Sequence, residues 1–165
     1  MAEPIAAPFS GYRTAVRKEW IDYNGHLNDG CYGIVLSEAN ERMLAALGVS
    51  DAYRKASGRA MYTVEAHLRY LAEATLGQVL SAETMLVGAD AKRLRLHTVL
   101  RHEDDRPVAT GEYLYLHVHA AVGRIEPFPP EVHRVVTRVL AVHSTLERPV
   151  HLGLGVSDRS ARRPS

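Results

Sequence analysis

Residues 31 to 48, CYGIVLSEANERMLAALG, limit what this chain can become more than any other stretch. The run has helical length, yet its first half is apolar on nearly every side, through Cys31, Ile34, Val35, Leu36 and Ala39. A surface helix carries a single apolar stripe; one that is apolar all round is stable in water only where protein encloses it. Asn28 or Asp29 can cap its start by accepting a bond from a free backbone N–H, and Gly48 is a natural stop. Gly30 and Gly33 weaken the helix but let another backbone or a ligand come close.

The enclosure has to come from strands. From Met61 the period changes to two, which predicts Tyr62, Val64, Ala66, Leu68 and Tyr70 on one face and Thr63, Glu65, His67 and Arg69 on the other. Residues 79–88 and 93–102 repeat the pattern, the latter setting Leu94, Leu96 and Leu100 against Arg93, Arg95 and Arg101. A further run, 107–119, puts Val108, Leu114, Leu116 and Val118 on one face, and the connections are short enough for antiparallel hairpins. Upstream, TAVRKEW (14–20) reads as a short strand. Downstream, prolines open an amphipathic helix in PFPPEVHRVVTRVLAVH, with Val132, Val135, Val136, Val139 and Leu140 at helical spacing.

Residues 1–13 read as a lead-in, 14–148 as one domain, and the polar, aperiodic 149–165 as a flexible tail. Strand, helix, strands, helix predicts an α+β domain: a curved antiparallel sheet wrapped around a central helix, with a C-terminal amphipathic helix. The open edges of such a sheet need cover, so at least a homodimer is expected. Lys and Arg number 20 against 19 Asp and Glu, too even a balance for a nucleic-acid binder. No apolar segment has the length to span a membrane. The opening MAEPIAAPFSGYR lacks the basic and then apolar regions of a secretory signal, and the single cysteine, Cys31, suits a reducing cytoplasm.

Directly before the apolar helix, WIDYNGHLNDGCYG (20–33) places Asp22, Asn24, His26 and Asn28 at alternate positions. A hydrogen-bonded turn with Asn28 as helix cap accounts for Asn24, His26 and Asn28 without any chemistry. Yet DYNGHLND followed by a helix, and then a strand ending HLRYLAEATLGQ, resembles the hotdog-fold thioesterases, the superfamily that includes 4-hydroxybenzoyl-CoA thioesterase and the acyl-carrier-protein thioesterases. The resemblance covers about residues 14–120 in order of elements. Many members carry D-x-D-x-x-G-H-x-N-N before the helix; DYNGHLND is nearer to the shorter D-x-N-x-H-x-N form. In that form Asp22, Asn24 and His26 match the active-site group, with a carboxylate on the following strand, for which Glu65 is the natural candidate. The longer form would set the principal acid where Asn24 stands, leaving Asp22 or Glu65 to do the work.

EWIDYNGHLND, YTVEAHLRYLAEATLG, LVGADAKRLRLH and EPFPPEV together resemble the thioesterases encoded with, or fused to, carnitine dehydrogenase. That likeness implies hydrolysis of betainyl-CoA to betaine and CoA by a cytoplasmic homodimer or homotetramer, without metal or bound cofactor. The alternatives are another short or aromatic acyl-CoA as substrate, or a module that binds acyl-CoA without turning it over.

Thioester hydrolysis needs an activated water or a protein nucleophile, plus donors for the oxyanion. A carboxylate from Asp22 or Glu65 could activate water or attack directly, with His26 and Asn24 orienting. The backbone N–H groups at Asp29, Gly30, Cys31 and Tyr32, at the positive end of the helix, suit the thioester oxygen. A betaine ammonium favours aromatic faces, and Trp20, Tyr23, Tyr32 and Tyr62 lie close in sequence. Arg69, Lys92 and Arg93 are candidate contacts for CoA phosphates. Plainer roles compete: Glu65 as a solvated strand residue, the tyrosines as core, the strand arginines as a wet face. His117 and His119 read as structural rather than metal-binding, and Cys31 as a small apolar filler.

Overall fold

The computed structural model describes residues 5–155. β1 (Phe9–Ala15) leads through one turn of 3-10 helix (Lys18–Trp20) and a polar loop into α1 (Asp29–Ala46). Then come α2 (Asp51–Ser57), β2 (Arg59–Tyr70), β3 (Val79–Ala89), β4 (Arg93–His102), β5 (Pro107–His119), β6 (Arg124–Ile125) and α3 (Pro130–His143). The strands make one antiparallel sheet in the order β1-β3-β4-β5-β2, and β6 pairs with the end of β5. Among the described residues no helix is long and apolar enough to cross a membrane.

The sheet covers one side of α1, but not the whole circumference that the sequence reading expects, since Ile34 is 45% exposed beside exposed Ser37, Glu41 and Arg42. Val35, Leu36, Ala39 and Met43 are buried in one cluster with Leu94, Leu96 and Leu100 of β4 and Tyr113 and Tyr115 of β5. Inside this core Thr98 donates to Asn40 Oδ1 (2.6 Å), and the Thr84 and Thr98 hydroxyls lie 3.0 Å apart. That polar chain fixes how far α1 slides along β3 and β4, because any shift strands its members in an apolar interior.

The first strand lies earlier than predicted. It occupies Phe9–Ala15, while Lys18–Trp20 of the predicted 14–20 strand coil into the 3-10 turn. The Asn28 N–H donates to the Trp20 carbonyl (2.8 Å), so the chain is already folding back there. α2 and β6 lie where the sequence reading has no element. For α2 the signals are present: Ser50 accepts the Tyr53 N–H (3.3 Å), and Gly58 ends the helix at φ +69°.

In β2 the simple alternation fails. A bulge between Thr63 and Glu65 leaves Val64 as the extra residue, since their β5 partners Tyr115 and Leu114 are adjacent. Ala66, Leu68 and Tyr70 pair with Tyr113, Gly111 and Ala109 on the α1 side, whereas Tyr62 pairs with Leu116 on the outer face. Glu65, His67 and Arg69 share that outer face, as do Leu114 and Leu116, which lie opposite Arg95 and Arg93. The outer arginines are ion-paired: Arg93 with Asp90, Arg95 with Glu112, Arg101 with Glu83.

α3 closes the β3 side, its His143 taking the Leu86 N–H at Nδ1 (2.9 Å) and reaching the Ala6 carbonyl from Nε2 (3.1 Å). Beyond it the chain lies on the outer face. Gly153 donates to Glu112 (2.7 Å), and Arg69 donates to the Gly155 carbonyl (3.2 Å). Of the tail predicted over 149–165, these bonds anchor the chain as far as Gly155; residues 156–165 lie outside the described residues.

Candidate active site

Asp22 builds the loop that precedes α1. Its Oδ1 accepts the Asn24 N–H (2.8 Å) and, more weakly, the His26 N–H (3.4 Å). The Asp22 N–H in turn meets the His26 carbonyl (2.9 Å), and Gly25 supplies the φ of +81° that so tight a turn requires. One carboxylate oxygen thus holds the loop, and the other has no partner among the described residues.

A second loop is tied to the first. Leu27 donates to the Ala74 carbonyl (2.7 Å), and His26 bridges to Thr75. Buried His102 of β4 steadies the same segment, its Nε2 lying 3.1 Å from the Glu73 carbonyl. These ties bring Glu73 Oε2 within 3.2 Å of His26 Nε2. Glu73 was not among the residues singled out from the sequence. It stands three residues past β2, so no strand periodicity marks it, although HLRYLAEATLGQ contains it. Glu65, the strand carboxylate expected there, is exposed on the outer face of β2, away from Asp22 and His26 within one protomer. Its alternation with Ala66, Leu68 and Tyr70, which face α1, sets that orientation.

Both loops meet at the N-terminus of α1. Asn28 caps the helix, its Oδ1 accepting the Gly30 N–H (3.0 Å), and Asp29 Oδ1 takes the same N–H (2.8 Å). The Cys31 and Tyr32 N–H groups go to the Asn28 carbonyl (2.9 and 3.4 Å). Of the four donors expected for an oxyanion, only the Asp29 N–H has no acceptor among the described residues; the cap engages the other three. Gly33 serves packing, since a Cβ there would lie 3.7 Å from Leu68. Burial, and then the Asp29 charge, push the Cys31 thiol up, so it stays protonated and unsuited to attack.

One aromatic pair frames the site. Tyr32 is buried and donates to the Ala72 carbonyl (3.1 Å), and Tyr70 meets it edge-on, ring centres 5.3 Å apart at 74°. The Tyr70 hydroxyl donates to the Asp29 carbonyl (3.3 Å). Burial pushes the Tyr32 phenol up, with the charges of Glu73 and Asp22 adding to it, which sets both carboxylates in its neighbourhood. Tyr70, like Glu73, was not among the sequence candidates; its place in the alternation of β2 was the available signal.

The remaining candidates lie elsewhere in the protomer. Trp20 is buried under the Arg17 guanidinium, 4.5 Å from its ring centre, and Tyr23 is 97% exposed. Tyr62 sits near the far end of β2, paired with Leu116. Lys92 and Arg93 lie at the β3–β4 turn, at the end of the sheet opposite Tyr70. Arg69 is on the outer face. His117 is buried between the Tyr53 hydroxyl (2.8 Å) and the Glu126 carbonyl (2.9 Å), a structural role; no cluster of metal-ligating side chains occurs among the described residues.

Comparison with known proteins gives a consistent picture. The family described as the thioesterase-like superfamily matches residues 16–136. An L-carnitine dehydrogenase/betainyl-CoA thioesterase of Agrobacterium fabrum is 40% identical over 149 residues, covering 90% of this chain but 30% of its own length. The chain therefore spans about a third of that relative. A betainyl-CoA thioesterase of Pseudomonas aeruginosa is 38% identical over 145 residues, covering 87% of this chain and 90% of its own. A Staphylococcus aureus protein solved in complex with CoA superposes with a TM-score of 0.83 at 27% identity, covering 89% of this chain and 93% of that one.

Proposed function

The chain belongs to the thioesterase-like superfamily and has the hotdog fold, and from that premise we propose that it hydrolyses betainyl-CoA to betaine and CoA. The observation that carries the chemistry is the convergence of Asp22, His26 and Glu73 on the N-terminus of α1. The thioester oxygen is received by the Asp29 N–H, where the helix end favours negative charge. The uncommitted oxygen of Asp22 takes a proton from water as the water adds to the carbonyl carbon. The tetrahedral oxyanion then collapses, the C–S bond breaks, and the departing thiolate recovers that proton. Direct attack by Asp22, giving an anhydride that water cleaves, uses the same groups. His26, held by Glu73, orients the water. The choice of acyl group rests on the two betainyl-CoA relatives.

In this reading the working unit is a cytoplasmic homodimer or homotetramer. Support comes from β2, a 12-residue strand at the sheet edge whose Tyr62 and Val64 are about half exposed, which pairing with a second copy would cover. Steady-state thiol release from betainyl-CoA, acetyl-CoA and benzoyl-CoA tests the function. Betainyl-CoA is expected to give the highest kcat/KM. Faster benzoyl-CoA cleavage would reassign the substrate, and no release from any of the three would remove the hydrolytic reading.

A further inference from the structure

We propose that Tyr70, braced by Tyr32 and backed by Tyr113, selects an acyl group that carries a quaternary ammonium; this rests on the hydrolytic reading above and names the residues that read its substrate. In a betainyl thioester the nitrogen is one methylene away from the carbonyl carbon. When the carbonyl oxygen meets the first turn of α1, the trimethylammonium therefore lies about 4 Å or less from it by ordinary covalent geometry. A cation so near the positive end of a helix is repelled unless other groups offset it. Three features at that spot do so.

The first is a free aromatic face. Tyr70 is 52% exposed, its hydroxyl is fixed on the Asp29 carbonyl, and Tyr32 holds it edge-on, so the ring is positioned beside the donor that receives the thioester oxygen. A quaternary ammonium cannot hydrogen-bond, and a fixed π-face is what attracts it. The second feature is charge. The charges of Glu73 and Asp22 act on Tyr32 and that of Asp29 on Tyr70, and His26 is the one basic group paired with any of these carboxylates among the described residues.

The third is an unpartnered hydroxyl. Tyr113 is 6% exposed, and its hydroxyl has no hydrogen-bond partner among the described residues. Its ring runs back along β5 over Gly111: a Cβ at position 111 would fall 2.5 Å from Tyr113 Cε2 and 3.3 Å from Cζ. The hydroxyl therefore points past Gly111 toward the Ala109–Tyr70 pair, the end of the sheet where the site lies. Its oxygen dipole suits N-methyl C–H groups, which carry most of the ammonium charge. Trp20, Tyr23 and Tyr62, the other aromatic candidates, are covered by Arg17, wholly exposed, and at the far end of β2 respectively.

The test compares betainyl-CoA with 3,3-dimethylbutanoyl-CoA, the same shape with carbon in place of nitrogen. The protein is expected to prefer the cation by about tenfold to thirtyfold in kcat/KM beyond the ratio of the two thioesters' uncatalysed hydrolysis rates, the size of a partly desolvated cation–π contact. Tyr70→Leu should lower that preference about tenfold, and Tyr70→Phe, which keeps the ring, should retain most of it. An unchanged preference in Tyr70→Leu, or none in the parent protein, overturns the proposal. If neither thioester is cleaved, the hydrolytic reading falls, and calorimetric titration with betaine and with 3,3-dimethylbutyrate decides separately. Betaine binding that is lost in Tyr70→Leu and kept in Tyr70→Phe supports the tyrosine site; binding that ignores the charge or the ring, or no betaine binding at all, overturns it.

Discussion

Asp22 performs two tasks with two oxygens, and a pair of substitutions separates them. In Asp22→Asn the amide oxygen can still accept the Asn24 and His26 N–H groups, so the loop is kept while the negative charge and the proton-accepting oxygen are lost. Loss of a general base typically costs about 10²- to 10⁴-fold in rate, or roughly 3–5 kcal/mol of barrier. The stability change should stay near about 0.5 kcal/mol, within the range of surface substitutions. Asp22→Ala removes both acceptors as well. Each such bond contributes about 1 kcal/mol, and the loop is partly solvated, so its added destabilisation should not exceed about 2 kcal/mol. Thiol release from betainyl-CoA measures the first effect and denaturant unfolding the second. The expected result is that Asn and Ala variants are equally inactive but unequally stable. An Asp22→Asn protein within threefold of the parent rate would refute the assignment of the acid to Asp22, as would a loss of rate that followed stability across the pair.

Three further outcomes are expected. Glu73→Gln should lower kcat about tenfold or more by removing the charge paired with His26, while Glu65→Gln should stay within about twofold, as steady-state thiol release will show. Gly111→Ala should destabilise by about 1–3 kcal/mol in denaturant unfolding, because the new methyl overlaps the Tyr113 ring and lies 3.2 Å from Leu36 Cδ1. Burial holds the His97 imidazole down at about 4, with His151 adding to the effect and Glu112 opposing it. As pH falls from 6.5 toward 4 the unfolded chain takes up a proton that the folded one refuses, so about 3 kcal/mol of stability is lost across that window. His97→Gln should flatten that part of the stability–pH curve.

The sequence by itself determined that α1 packs into the sheet, because Val35, Leu36 and Ala39 need cover, although Ile34 stays 45% exposed on the protomer, and it determined β4 and β5 to the residue. It also marked Asp22, Asn24, His26 and Asn28, since polar groups crowded against an apolar run are conspicuous in any register. Only the tertiary structure decided which carboxylate joins them. A bulge that adds one residue to β2 turns Tyr62 onto the outer face beside Glu65, and period-two counting cannot see it because the extra residue is defined by the partner strand. Glu73 and Tyr70 reach the helix end through contacts with residues some forty positions earlier, His26 and Asp29. Spacing along a chain specifies local periodicity; the proximity of two loops depends on how the sheet curls and what it encloses, and that is settled only when the whole chain packs.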